Sequence, residues 1–269
     1  MKKYILILAA AILLLISCSQ QRNMARRFVK QHKKAVVALY LPNRLIKNNL
    51  REDIMPAELE NASLEEQVKY MQDQIKVVDK IDDDRFLDII YTSMKEALED
   101  YGLTVRYWND DSAEPDSMHW IINIPRIEIR ETGESHDVCR WLYSQRYCVN
   151  LPVDMVNVAS WFELADGTTD ALAFTEQDYF NDTDMTLDFD ENTNRVYART
   201  YVDTINIDGF YRFGTLLGRL YAGYCYDFMM YKYVDRYQKD TLDTINRFRY
   251  DPYERYLYKT ECDYLIEIK

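Results

Sequence analysis

Glycine and proline are scarce in this 269-residue chain, at seven and six, which excludes collagen-like and low-complexity architectures and leaves little room for flexible linkers. Histidine is scarcer still, at three, and no two of the five cysteines are separated by two residues, so zinc-ligand spacing is missing. No catalytic or cofactor motif rises above chance, and no cofactor is expected. Positive charge is also in deficit: Lys and Arg total 33 against 45 Asp and Glu. Such a surface repels nucleic acid and anionic lipid headgroups, which removes nucleic acid from the candidate partners. What remains, 48% apolar and 29% charged, is the mixture of a globular protein.

The chain opens Met1-Lys2-Lys3 and then runs uncharged from Tyr4 to Ile16, the positive start and apolar middle of a secretory signal. That run is short of the roughly 20 apolar residues a membrane-spanning helix needs. Leu15-Ile16-Ser17-Cys18 follows and resembles the lipobox of bacterial lipoproteins. The resemblance implies removal of residues 1–17 as a signal peptide, acylation of Cys18 and attachment to a membrane. Each buried methylene contributes ~0.8 kcal/mol, so several acyl chains make a lasting anchor where one does not. By analogy with diderm bacteria, Ser19 permits transfer to the outer membrane. Gln20-Gln21-Arg22-Asn23 lacks the acidic cluster that accompanies surface display, which favours the periplasmic face. Cleavage takes two lysines and no acids, leaving 31 basic against 45 acidic residues and a formal charge of −14. Residues 18–34, polar and basic, read as a lipidated tether, and 35–269 as one α/β domain with a helical, tyrosine-rich C-terminal portion.

Besides Cys18 there are Cys139, Cys148, Cys225 and Cys262. In an oxidising compartment an even number permits two disulfides. Cys139 and Cys148 are placed to staple a hairpin, leaving Cys225 for Cys262; four buried thiols are the other solution.

Ala35 to Leu41 is a continuous apolar run ended by Pro42, as in a buried strand. Ala57 to Asp79 and Asp84 to Tyr101 carry apolar residues at three- and four-residue steps, predicting two amphipathic helices, the second closed by Gly102. Leu103 to Trp108 then reads as a strand, and strand–helices–strand closes with parallel strands. His119 to Ile129 alternates on both sides of Pro125, which requires an edge position or a bulge. Tyr147 to Leu164 is a second strand region interrupted by Pro152, and Met185 to Phe189 with Arg195 to Val202 form a hairpin. From Tyr211 a helix places Gly214, Gly218 and Ala222 on one face. That face packs on the protein's own sheet or receives a partner helix. The fold class is α+β: a mixed, largely antiparallel sheet, two helices from the N-terminal half and one long helix from the C-terminal half.

Ser135-His136-Asp137 has the residue types of a catalytic triad, but sequence neighbours cannot point at one another as nucleophile, base and orienter must; a polar loop is expected. Asp188, Asp190, Asn192 and Asn194 alternate like calcium ligands, yet Thr193 and Arg199 stand where a glycine and a glutamate are needed. Asp82-Asp83-Asp84 begins a helix and offsets its dipole. Asp111-Ser112-Ala113 and Asp116-Ser117-Met118 resemble the O-glycosylation triplet of exported Bacteroidota proteins, which marks Ser112 and Ser117. The order of elements over residues 35–235 resembles the amino-terminal domain of the Tol translocation protein and other small α/β envelope lipoproteins. That resemblance implies a non-enzymatic accessory or scaffold subunit with a protein partner in the envelope. The alternative, carried by 14% aromatic content, is a glycan- or lipid-binding lipoprotein.

Overall fold

A computed structural model of the chain describes residues 20–50, 56–73, 77–106, 119–167, 170–238, 245–261 and 264–268. The signal segment, Cys18, Ser112, Ser117 and Cys262 lie outside the described residues. Helix α1 covers residues 20–31. It is followed by β1 (Val36–Tyr40), β2 (Ile46–Asn49), α2 (Leu64–Asp73), α3 (Asp83–Asp100), β3 (Thr104–Arg106), β4 (His119–Leu142) and β5 (Gln145–Ala165). Next come β6 (Asp170–Phe180), β7 (Thr183–Asp190), β8 (Arg195–Val202), α4 (Ile207–Gln238), β9 (Arg247–Asp251), β10 (Tyr256–Thr260) and β11 (Ile266–Ile268). The fold is α+β with a mixed, mostly antiparallel sheet.

The main sheet runs β11-β6-β5-β4-β1-β3, with β2 also on β4. β1 is parallel to both β3 and β4, so strand–helix–strand closes as the apolar periodicity predicts. Pro125 sits in a central strand, not at an edge, because β4 lies between β1 and β5. A register shift between Asn123 and Arg126 accommodates it, since proline has no N–H for the ladder. The extra residue changes parity: Trp120, Ile122 and Ile124 point into the core before the bulge, and Ile127 and Ile129 after it. Glu131 continues that inward row, fully buried, and its carboxylate accepts the Val77 and Val78 N–H groups at 3.0 Å each. The opposite face carries Arg126, Glu128 and Arg130, tied by ion pairs of 2.7 and 3.1 Å.

Several expectations are corrected. Residues 20–31 are not a free tether: Gln21, Ala25, Phe28 and His32 are buried at helical spacing, and Phe28 stacks on Trp120 at 5.5 Å. The helix expected over 57–79 is shorter, with α2 flanked by 3-10 turns at Ala57–Leu59 and Val78–Lys80. Strand β5 passes through Pro152 without a break. Among the described residues the C-terminal portion is not helical beyond Gln238. Along the β9–β10 hairpin Phe248 and Leu257 are buried with Tyr250 half-buried beside them, while Tyr256 and Tyr258 on the other face are exposed, a half-buried pair of strands that aromatic residues suit, and β11 returns to the main sheet beside β6.

The small-residue face of α4 packs neither on the sheet nor on a partner, but on α3. A Cβ on Gly214 would stand 2.8 Å from the Phe86 ring, and one on Gly218 would stand 2.6 Å from the Ile90 carbonyl oxygen. Backbone cannot retreat as a side-chain end can, so Gly218→Ala is expected to cost about 1–3 kcal/mol of overpacking. Thermal denaturation reads this as a loss of roughly 2–10 °C; an unchanged midpoint would refute the close contact.

On the opposite side of α4, Asp227 meets the Arg249 guanidinium of β9 at 3.1 Å and accepts the Tyr250 N–H at 3.3 Å. Burial lifts the Asp227 carboxyl from its ordinary 3.8 to about 7, with Arg249 pulling the other way. A proton held more tightly in the folded state stabilises fully below pH 3.8, and that contribution is lost as pH rises through 7. Measured by urea unfolding against Asp227→Asn, the parent should lose up to about 1.4 kcal/mol per pH unit across that window. A flat difference between pH 4 and 7 would contradict it.

Candidate interaction surface: the stapled β-arm

Strands β4 and β5 pair without interruption from Arg126↔Trp161 out to Leu142↔Gln145. Their neighbours stop earlier: β2 pairs only as far as Glu131 and β6 only as far as Met155. The hairpin beyond, residues 133–154, therefore projects from the sheet as an arm. At ~3.3 Å per strand residue, Trp141 lies up to about 70 Å along β4 from Trp120, which is beside α1.

An isolated two-stranded ribbon is marginal in water, and two devices support this one. The β7–β8 hairpin lies against it, with Met185 on Val138 and Leu151 in a small second core. Arg140 and Asp184 meet at 2.6 Å on its surface. The Met185 N–H and the Arg140 guanidinium hold the Asp184 carboxyl below its usual range. Near the tip, Cys139 and Cys148 stand directly opposite in register, with Cα atoms 4.2 Å apart, and are bonded. The turn uses Tyr143 and Ser144 at φ 46° and 67°, two successive left-handed residues as a tight hairpin turn requires. Held by the staple, Trp141 is 70% exposed and Tyr143 87%.

Ser135-His136-Asp137 proves to be strand, not loop. Successive residues of a strand face opposite ways: His136 stacks on Phe180 at 6.1 Å, and Asp137 accepts the Asn150 side-chain N–H at 2.9 Å. The calcium-like run is the β7–β8 turn. Asp190 accepts the Asn192 N–H and the Thr193 hydroxyl at 2.8 Å each, and Asp188 pairs with Arg199 at 2.7 Å. Among the described residues no group of three acidic, histidine or cysteine side chains is placed to hold a metal. Cys225 is a free thiol buried in α4, and burial pushes its ionisation well above the ordinary thiol range.

No family model and no curated protein matches this chain. The reading of its surface therefore rests on geometry. Of the two cysteine arrangements open from sequence, the Cys139–Cys148 staple is the one formed; the arm that carries it was not expected, and its signal is the alternation of Val149, Leu151 and Val153 after Tyr143-Ser144, with Val138 before it.

The staple closes a loop of about ten residues, for which chain entropy predicts about 2–3 kcal/mol. Cys139→Ser with Cys148→Ser should therefore raise amide exchange in residues 134–153 by up to about 100-fold, leaving α3 and α4 protected as before. Equal loosening throughout would mean that the arm and the body are one cooperative unit.

Proposed function

We propose that this chain is an outer-membrane lipoprotein, held by lipid on Cys18 on the periplasmic side, that acts as a non-enzymatic scaffold or accessory subunit in envelope assembly or transport. The observation that supports this reading is the disulfide-stapled arm with Trp141 and Tyr143 exposed at its tip. Exposed aromatic anchors on a rigid support are the usual energetic centres of protein interfaces. An arm needs a fixed base, and α1 supplies one. Its first turn is fastened to the β9–β10 hairpin, with Gln21 accepting the Asn246 N–H at 2.9 Å and Arg22 donating to the Leu257 carbonyl at 3.0 Å. Only Ser19 stands between Cys18 and Gln20, a reach of at most about 7 Å, so an acylated Cys18 would hold the body against its membrane with little slack. The arm, rooted at the far end of β4, would then extend away from that surface. Among the described residues no helix is long and apolar enough to cross a membrane.

Glycan or lipid binding is the second reading, favoured by the exposure of Tyr253 and Tyr256. It is weakened by Tyr221, Tyr224 and Tyr226, which fill the core.

A photocrosslinking amino acid at position 143, with the chain expressed in its own host with Cys18 intact, tests the scaffold reading. A stoichiometric envelope protein should be captured. Its co-purification should fall at least about 30-fold in Trp141→Ala/Tyr143→Ala, the effect of losing about 2 kcal/mol of aromatic contact. Recovery of the lipoprotein alone would overturn the scaffold reading in favour of glycan or lipid binding.

A further inference from the structure

The charge of this protein is unevenly placed. Residues 20–34 contain Arg22, Arg26, Arg27, Lys30, Lys33 and Lys34 and no acid, in a chain of net charge −12. Because Gln21, Ala25, Phe28 and His32 point inward, Arg26, Arg27, Lys30, Lys33 and Lys34 are all driven to the exposed side of α1 and the turn after it. Between that side and the β9–β10 hairpin lies a cleft of about 270 Å³. Five of its lining residues are cationic, Arg22, Arg26, Lys30 and Lys33 with Arg255 from the hairpin turn, and no carboxylate lines it. Among the described residues, Arg26, Lys30, Lys33 and Arg255 form no ion pair.

Arg22 supplies a second, independent observation. One of its terminal nitrogens is spent on the Leu257 carbonyl at 3.0 Å and the Tyr256 hydroxyl at 3.3 Å, while its Nε is buried without an acceptor. Buried donors are normally paired, and an orphan is destabilising. Five like charges around one cavity repel one another, a cost an anion would remove, and a guanidinium fork with ammonium groups around it suits a phosphate. The apolar side chains of Val29 and Leu257 complete the wall.

We infer that the cleft between α1 and the β9–β10 hairpin binds a phosphate group, carried either by an anionic phospholipid headgroup or by a soluble phosphorylated compound. The site is distinct from the arm and does not depend on what the arm holds. Its place beside residue 20, where the chain arrives from Cys18, puts it within reach of headgroups at the membrane surface. A volume just under the roughly 300–1,000 Å³ of small-ligand pockets suits a polar headgroup better than acyl chains.

The test uses the chain from residue 18 onward carrying Cys18→Ser, which retains every described residue and removes the acylation site. Calorimetry with pyrophosphate reads the soluble source; co-sedimentation with phosphatidylglycerol vesicles, against phosphatidylcholine vesicles, reads the membrane source. Arg26→Gln/Lys30→Gln neutralises two cleft residues. Arg27→Gln/Lys34→Gln removes the same charge from outside the cleft. The expected result is saturable binding to one of the two probes, weakened at least about ten-fold by the cleft pair, less than two-fold by the control pair, and reduced by salt. Binding to pyrophosphate assigns a soluble ligand; binding only to phosphatidylglycerol vesicles assigns the headgroup. Binding to neither, or equal loss in both double variants, overturns the inference.

Discussion

Strand β4 has to keep one face on one core while it passes Pro125, and the bulge between Asn123 and Arg126 is what allows it. Side chains alternate with a period of two, so an extra residue is the only way to retain the inward face across an odd step. Trp120 before the bulge receives α1, and Glu131 after it holds the Val77–Val78 turn that leads into α3. A regular strand would put Ile127, Ile129 and Glu131 in solvent and turn the arm over. The helical layer, the sheet and the direction of the arm thus share one irregularity.

The helical layer closes through a contact of a different kind. Gly218 lets α4 meet the backbone of α3, and Asp82 at the start of α3 caps that helix by accepting the Arg85 N–H at 2.9 Å. From there α4 runs past Tyr221, whose hydroxyl pairs with Ser160 at 2.8 Å in the sheet, to Tyr226 and Tyr233 around Phe28. One helix therefore ties together α3, the sheet and α1. The four-residue spacing of Gly214, Gly218 and Ala222 announced a close neighbour without saying which, because a stripe of small residues specifies distance and not identity.

Elements whose apolar period was long and regular were legible: β1, α3 with its Asp82 and Gly102 boundaries, the return into β3, and the β7–β8 hairpin. Others were hidden for identifiable reasons. α1 buries only Ala25 and Phe28 as apolar residues on its inner face, the rest being Gln21 and His32, so hydropathy alone made it a tether. The outer half of β4 leaves the main core and keeps only Val138 buried, in the small second core, so its own alternation is too short to read and its register with β5 is what reveals it as strand. Tyrosines at 250, 253, 256 and 258 fit helical and extended spacing equally well, and tertiary contact decided between them. Of the candidate surfaces, the staple was readable from Cys139 and Cys148 and the aromatic tip between them, but its projection was not. The basic cleft was invisible to net charge, which averages over a surface that the fold divides.

That division gives the molecule two ends of opposite character. At one end, six cations follow within sixteen residues of Cys18 and five line a cleft against the last hairpin. At the other, a ribbon too thin to bury its own aromatics is kept in shape by a disulfide and the three-residue core of Val138, Leu151 and Met185. Neither end follows from the needs of the main core, which would be complete without the arm and would tolerate neutral residues on the outer side of α1. Groups that folding does not require, yet that the fold fixes in place at a cost in repulsion or exposed apolar area, are the ones most economically explained by what they contact outside the chain.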